Sequence, residues 1–290
     1  MSKSYIPYEG KEFQEWLSWQ KKASQGDLNP IPSICCWSDI CGFGARLDAA
    51  KWDLSSPLAQ SLLTILSRMH SILAQGWCLP HPDKVLVLND GVARVFDLIH
   101  YSHDFVDVMI FNFRDMILRN NTALQLAIKD DVGLRTVLSG GSRVQYSSSL
   151  TTGKSFVFTG ENPSPHAKWI MDQHIVYNPA EFQMNTAFAR AYTLDALGSS
   201  AGLKTNNIYV DIRWVDAVAA YFEGAVYVQD DYIFFDRNET HAMHWKYDKK
   251  IELQARTGDT VVFKLNEMMI YKEFEGEDAV FKLGDSQAFS

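Results

Sequence analysis

Two acids in this sequence sit where they could hold metal ions. Asp39 follows the apolar run "SICCW" after one serine, and "ICGFG" comes next, so a carboxylate stands just before a glycine-loosened loop. Asp90 lies in Asn89-Asp90-Gly91, between the β-rich runs "KVLVL" and "VARVF". Turn chemistry accounts for either acid alone, because Asp and Asn bond their own backbone and tolerate positive φ. Brought together, they would repel unless a cation lay between them. Mg²⁺ takes one or two carboxylates and completes its shell with substrate phosphates. Two such ions suit an in-line displacement, activating the attacking hydroxyl and stabilising the leaving oxygen. Cys41, Gly42, Phe43 and Gly44 would then offer backbone N–H groups to the β- and γ-phosphates at a helix start.

The elements that must position these acids are legible in the hydrophobic periodicity. "EGKEFQEWLSWQKKAS" has Phe13, Trp16, Leu17 and Trp19 near helical spacing, and "GDLNPIP" breaks it. "SICCWSDI" reads as a buried strand. "SSPLAQSLLTILSRMHSILAQG" predicts a helix with Ser56 as N-cap, Pro57 in the first turn and Gly76 just past the end. "DKVLVLNDGVARVFDLI" predicts a hairpin. A helix ("FRDMILRNNTALQLAI"), a strand ("GLRTVLSGG"), a helix ("PAEFQMNTAFARAYTLDALGSS") and a strand ("NNIYVDIRW") follow. The order β-α-β-β-α-β-α-β predicts an α+β fold, a ferredoxin-type (βαββαβ) sheet with helices on one face. In such a sheet the first strand and the hairpin lie side by side, so Asp39 and the hairpin tip can meet.

Composition narrows the function. The 290 residues can bury a sizeable core, and 47% of them are apolar and 13% aromatic. A net charge of −8 argues against a general nucleic-acid binder, whose footprint is a basic patch. No charged n-region with an apolar h-region opens the chain, and no apolar run approaches the roughly 20 residues of a membrane helix. A soluble, cytoplasmic protein that engages neither nucleic acid nor membrane is therefore expected. The four cysteines form no CxxC pair and the eight histidines no HExxH spacing. Serine-hydrolase, P-loop and Rossmann signatures are absent.

The segments around the two acids resemble those of a known family. "SDICGFG" resembles the SDIxGF motif of class III nucleotide cyclases, whose Asp binds both metal ions, and "KVLVLNDGVARVF" resembles the hairpin that supplies their second metal-binding Asp. "GLRTVLSGG" is similar to the next strand of that family. The bacterial pyrimidine cyclases of Pycsar anti-phage defence are closer still. They share a D-I-x-G-F/Y-G motif, a following W-D-L segment ("GARLDAAKWDL" here) and a penultimate helix A-Y-x-L-D/E ("RAYTLDA" here).

The resemblance implies two Mg²⁺ or Mn²⁺ ions per site, held by Asp39, the backbone carbonyl of Ile40, and Asp90, with Cys41, Gly42, Phe43 and Gly44 on the phosphates. It implies a homodimer with composite active sites that converts UTP or CTP to cUMP or cCMP, read by a separate cyclic-nucleotide-sensing effector. It divides the chain into an N-terminal helix (1–30), a cyclase catalytic domain (31–215) and a strand-rich extension of that domain (216–290).

Two features depart from the family pattern. Common class III cyclases steady the transition state with an Asn and, four residues later, an Arg on one helix. Here Asn185 and Arg190 are five apart, about 140° around a helix, and share no face, whereas Asn185 and Tyr192 do. Adenylate-specific members carry a Lys three or four residues before the hairpin Asp. Leu86 and Val87 stand there and donate no hydrogen bond, which is compatible with a pyrimidine. Arg94 and Tyr192 are the polar residues expected near the base. A purine cyclase, a palm-type nucleotidyltransferase and a catalytically dead nucleotide-binding module are the other readings open to the same residues.

Overall fold

The run that leads to Asp39 forms β1 (Ile31–Cys41) of a computed structural model describing residues 11–74, 83–99, 105–145, 165, 179–237, 240–272 and 276–287. Helix α1 (Lys11–Gln25) precedes it. The side chains of Phe13 and Trp16, and the expected stop at Gly76, lie outside the described residues. After β1 come the short α2 (Phe43–Ala49), the long α3 (Pro57–Ala74), and a hairpin of β2 (Lys84–Leu88) and β3 (Gly91–Asp97). Then α4 (Phe105–Lys129), β4 (Gly133–Arg143), α5 (Thr186–Leu197), β5 (Asn207–Asp211) and α6 (Ile212–Tyr221) follow.

The described chain divides into two compact units, Met1–Ile31 with Arg143–Asn185, and Pro32–Ser142 with Thr186–Ser290. Within the first, the indole Nε1 of Trp19 donates to the carbonyl of Gln145 at 2.6 Å, and Asn185 forms an isolated bridge with Arg143.

The second unit holds the sheet. Its order is β2-β3-β1-β4-β5-β9-β8-β7-β6, where β6 is Val226–Gln229, β7 Tyr232–Arg237, β8 Thr240–Leu253 and β9 Thr260–Ile270. A last strand, β10 (Ala279–Lys282), pairs with β9. The β1-α3-β2-β3-α4-β4 segment is the expected βαββαβ core, with β1 and β3 antiparallel neighbours. Residues beyond 215 continue the same sheet, because β9 pairs antiparallel with β5. They also share its core. Phe113 of α4 packs against Trp214 of α6 at 5.0 Å, Trp214 against Trp245 at 5.1 Å, and Trp245 against Phe235 at 4.6 Å between ring centroids.

Strand period decides which side chains face the helices. Ile34, Cys36 and Ile40 of β1 join the core with Leu62, Ile65 and Met69 of α3 and with α4. Ser38 points the same way and donates to Asn120 of α4 at 2.6 Å. Trp37 and Asp39 face the opposite side, where α5 lies, with Trp37 against Phe188 and Tyr192. Ser56 caps α3 as its sequence indicates, its Oγ accepting from the N–H of Ala59 at 3.2 Å.

Three element boundaries differ clearly from the sequence expectation, the first being α4, which starts at Phe105 rather than Phe113. The helix expected over 179–200 starts only at Thr186. Thr186 Oγ1 accepts from the N–H of Ser142 and donates to its carbonyl, both at 2.8 Å, so pairing at the end of β4 displaces the earlier helical turns. The strand expected through Trp214 stops at Asp211, whose carboxylate accepts from the N–H of Arg213 and caps α6.

Gly140 shows how closely β4 and α6 approach. A Cβ there would lie 2.0 Å from the carbonyl oxygen of Arg213, a backbone atom that cannot rotate away. Gly140→Ala is expected to cost about 1–3 kcal/mol in urea unfolding, the range of overpacked cores. A loss under about 0.5 kcal/mol, the range of changes at exposed positions, would mean that this approach is looser than described.

Candidate active site

The β1–β3 register places Asp39 opposite Gly91, next to Asp90 in the chain, and the N–H of Ile40 donates to the Asp90 carbonyl at 3.0 Å. The turn itself is made by Asn89, at φ 48°, whose amide donates to the Asp90 carboxylate at 3.2 Å. Gly91 is required for a different reason. The Trp37 ring lies over it, and a Cβ at Gly91 would come within 2.1 Å of that ring. Both acids are half-buried. Burial, then the charges of Asp195 and Asp90, push the Asp39 carboxyl up to about 7, against the opposing pull of Arg135.

The two acids open onto a cavity of about 750 Å³. Arg135 of β4 and Leu88 at the hairpin end contribute to its lining, and α5 contributes Phe188, Tyr192, Asp195 and Ala196. Those four recur at helical spacing and so form one face of α5. Trp37 meets Tyr192 edge-on at 5.4 Å, and Tyr192 is 53% exposed. Asp195 is buried and fully engaged. One oxygen accepts from Arg135 Nε at 2.5 Å and the other from Trp37 Nε1 at 3.2 Å. Arg135 also donates to the carbonyls of Asp195 and Leu203, at 2.8 and 2.9 Å. The ion pair therefore fastens α5 across β4 and holds the aromatic wall upright.

The glycine loop opens α2. Gly42, its N-cap, has φ 78°, a conformation that favours glycine. Gly44 has no such constraint, and a Cβ on it would meet nothing within 4 Å. Packing within this chain does not require glycine there; it leaves room above the loop. Burial pushes the Cys41 thiol up to about 11, so it carries no thiolate at neutral pH.

Asp39, the Ile40 backbone, Asp90 and Tyr192 are thus gathered at one end of the sheet. Other expected site residues are elsewhere. Arg94 is a correction: its register partner is Cys36, so it faces α3, where it is buried, pairs with Asp83 and donates to the Leu73 carbonyl at 2.6 Å. Leu86 and Val87 pair with Ala93 and Val92 and do not line the cavity. Arg190 is also outside the lining, donating instead to the Gly140 carbonyl at 2.8 Å. Asn185 belongs to the other unit and is not on α5. It is 4% exposed and its amide donates to the Glu181 carbonyl at 2.9 Å. The helical spacing argument for Asn185 and Arg190 therefore does not apply.

Sequence reasoning missed Trp37, Arg135, Phe188 and Asp195 as lining residues. The signal was there. Arg135 lies in "GLRTVLSGG" and Asp195 in "RAYTLDA", two segments singled out by pattern, but neither pattern shows that they pair.

The donors at the acid pair fit a hard divalent cation. Asp39, Asp90 and the Ile40 carbonyl are all oxygens, the set that suits Mg²⁺ or Mn²⁺. Burial chiefly, and then the charges of Asp195 and Asp90, raise the Asp39 carboxyl, and a dication at the pair would favour its ionised form. Among the described residues no closed group of three or more His, Cys, Asp or Glu side chains forms a metal cage. An open pair of this kind leaves coordination positions for substrate oxygens.

No protein-family model matches the chain, and no curated protein sequence does. Among solved structures it is similar to a guanylyl cyclase at 11% identity, covering 82% of this chain and 93% of that one, with TM-score 0.43. The adenylyl cyclase CyaB of P. aeruginosa is similar at 10% identity, covering 82% and 94%, with TM-score 0.42. A bacterial light-regulated adenylyl cyclase shares 15% identity, covering 82% and 91%, with TM-score 0.38.

Two outcomes are expected from this geometry. Arg135→Met strands the buried Asp195 carboxylate and costs about 3–5 kcal/mol, while Arg135→Met with Asp195→Leu recovers much of it. Additive losses in the urea double-mutant cycle would rule out the coupling. The second outcome concerns pH. A carboxyl raised in the folded state binds its proton more tightly there than when unfolded, so its contribution is fully present below the unfolded pKa near 4. It is lost as pH rises toward the folded value of about 7. In EDTA, urea midpoints of the wild type fall across that window and then level off, and Asp39→Asn removes much of the fall.

Proposed function

We propose that the protein is a nucleotidyl cyclase that converts a pyrimidine nucleoside triphosphate, UTP or CTP, to its 3′,5′-cyclic monophosphate and pyrophosphate. One observation carries this reading: Asp39 of β1 pairs with Gly91, which follows Asp90 of the hairpin turn, and both acids line a cavity walled by aromatic rings. Asp39, Asp90 and the Ile40 carbonyl would hold two Mg²⁺ or Mn²⁺ ions. When bound, such ions activate the attacking hydroxyl and neutralise the charge on the leaving pyrophosphate.

The chain's own residues do the positioning. The ribose 3′-hydroxyl gives its proton to water and attacks the α-phosphorus, and the bond to the leaving pyrophosphate breaks. Backbone N–H groups of the Gly42–Gly44 turn orient the β- and γ-phosphates. Trp37, Phe188 and Tyr192 exclude water and offer flat surfaces to the base. Arg135 is the cation among the lining residues and is committed to Asp195, so it is not available to the phosphates. A second copy of the chain supplies further positive charge, in a homodimer with composite sites. The Pycsar-like segments favour a pyrimidine. The product then acts on a separate cyclic-nucleotide-sensing effector in cytoplasmic anti-phage defence.

The test is to incubate the protein with each of the four NTPs and Mn²⁺ and identify products by mass. Conversion of UTP or CTP is expected with kcat/KM at least about tenfold above ATP and GTP, a difference of about 1.4 kcal/mol. Asp39→Asn and Asp90→Asn each abolish product with circular dichroism unchanged. Equal turnover of ATP would replace the pyrimidine assignment with a purine cyclase. A dinucleotide product would replace cyclisation with nucleotidyl transfer. An inert wild type would leave a nucleotide-binding module.

A further inference from the structure

The sheet has an edge beside the two acids. Strand β2 stands at one end of the strand order, and among the described residues it pairs with β3 alone. Its apolar side chains reach solvent, with Val87 and Leu88 each 42% exposed. Leu88 and Asn89 line the cavity of the candidate site, so this edge is also a rim of that site.

The register shows which backbone groups the edge leaves open. Bonded and unbonded pairs alternate along an antiparallel ladder. The N–H of Ile40 donates to the Asp90 carbonyl, so Asp90 and, two residues on, Val92 bond to β1. Gly91, Ala93 and Val95 therefore bond to their partners Leu88, Leu86 and Lys84 on β2. Val85 and Val87 are left with N–H and C=O groups directed away from the sheet. An edge of this kind accepts another extended strand.

The same register sets side-chain direction. Gly91 is opposite Asp39 and Leu88 is opposite Gly91, so Leu88, Leu86 and Lys84 stand on the face of the sheet that carries Asp39. Lys84 is exposed. It lies three residues before Val87, and Asp90 lies three residues after it. Arg135, the cation among the cavity residues, is committed to Asp195. Charge and spacing along this edge are therefore self-complementary about Val87.

We propose that two copies of this chain join through β2, antiparallel, about a two-fold axis at Val87. Val87 then bonds to its own copy, and Lys84 of each chain comes opposite Asp90 of the other, on the face that carries Asp39. Centring the pair on Leu86 would satisfy the backbone equally, but it would set Lys84 against Leu88 and leave both charges unmatched. Each copy thus lends a cation to the acid pair of the other. The interface stands on the register and exposure of β2; only the use of Lys84 at a bound triphosphate rests on the cyclase reading.

Sedimentation equilibrium of the full chain in EDTA tests this without reference to activity. A five-residue strand makes a short contact, at the low end of interface sizes, so the series extends to high protein concentration. The wild type is expected to dimerise. Val87→Lys and Val87→Glu each set like charges face to face and weaken the dimer about fivefold or more, with circular dichroism unchanged, and an equal mixture of the two recovers a mixed dimer. Lys84→Gln and Asp90→Asn each weaken the dimer, and together they weaken it no more than either alone. A monomer at every concentration, a dimer indifferent to Val87→Lys, or a mixture that recovers nothing would overturn the interface. Additive losses from Lys84→Gln and Asp90→Asn would overturn the contact between those residues. A dimer that makes no cyclic nucleotide would count against the cyclase reading alone.

Discussion

The antiparallel pairing of β1 with β3 is the constraint on which the site depends. Side chains alternate along a strand, so a slip of one residue would exchange the two faces of β1. Asp39 and Trp37 would then turn into the core beneath α3 and α4, and Ile40 and Ser38 would face α5. Burial on both sides prevents this. Ile34, Cys36 and Ile40 fill the helix-covered face, while Trp37 closes over Gly91 on the other. The position of the acid pair is thus fixed largely by apolar packing of its strand neighbours, Trp37 and Ile40 among them.

A small polar layer supports the same strand from behind. Ser38 donates to Asn120, which also accepts from Thr136 of β4 at 3.0 Å, and the Asn120 amide donates back to its own helix at Met116. One asparagine so ties α4 to both β1 and β4, next to Asp39 on one strand and next to Arg135 on the other. Buried polar groups of this kind are stable only when all partners are present, which makes them specific as well as costly to disturb. The site therefore has an aromatic wall in front and a satisfied hydrogen-bond network at its back.

Much of this was legible in the sequence because it rests on local signals. Alternation marked β1, Ser56 and Pro57 marked the start of α3, and Asn89-Asp90-Gly91 marked the hairpin, so the meeting of Asp39 with the hairpin tip followed from strand order. The unread parts depend on tertiary pairing. Nothing local tells Arg94 from Arg135: both sit within strands beside small or apolar residues, and only the register sends one beneath α3 and the other toward α5. The late start of α5 is similar, since "EFQMN" is a passable helical sequence that yields to contacts at the end of β4. Asp211 could have been read earlier, because an Asp before a helical run is a capping signal.

The pairing of β5 with β9 has a consequence for how the chain is made. β5 ends at Asp211 and its partner begins at Thr260, so the ribosome must add nearly fifty residues before that edge can be covered. At about 5–20 residues per second this takes roughly 3–10 s. Throughout that interval Ile208 and Val210, fully buried in the finished protein, belong to an open edge with unpaired backbone groups. Such edges pair readily with other chains. The nascent protein is thus prone to aggregate after the residues of both acids and the aromatic wall have been made and before the strands that close the sheet have emerged.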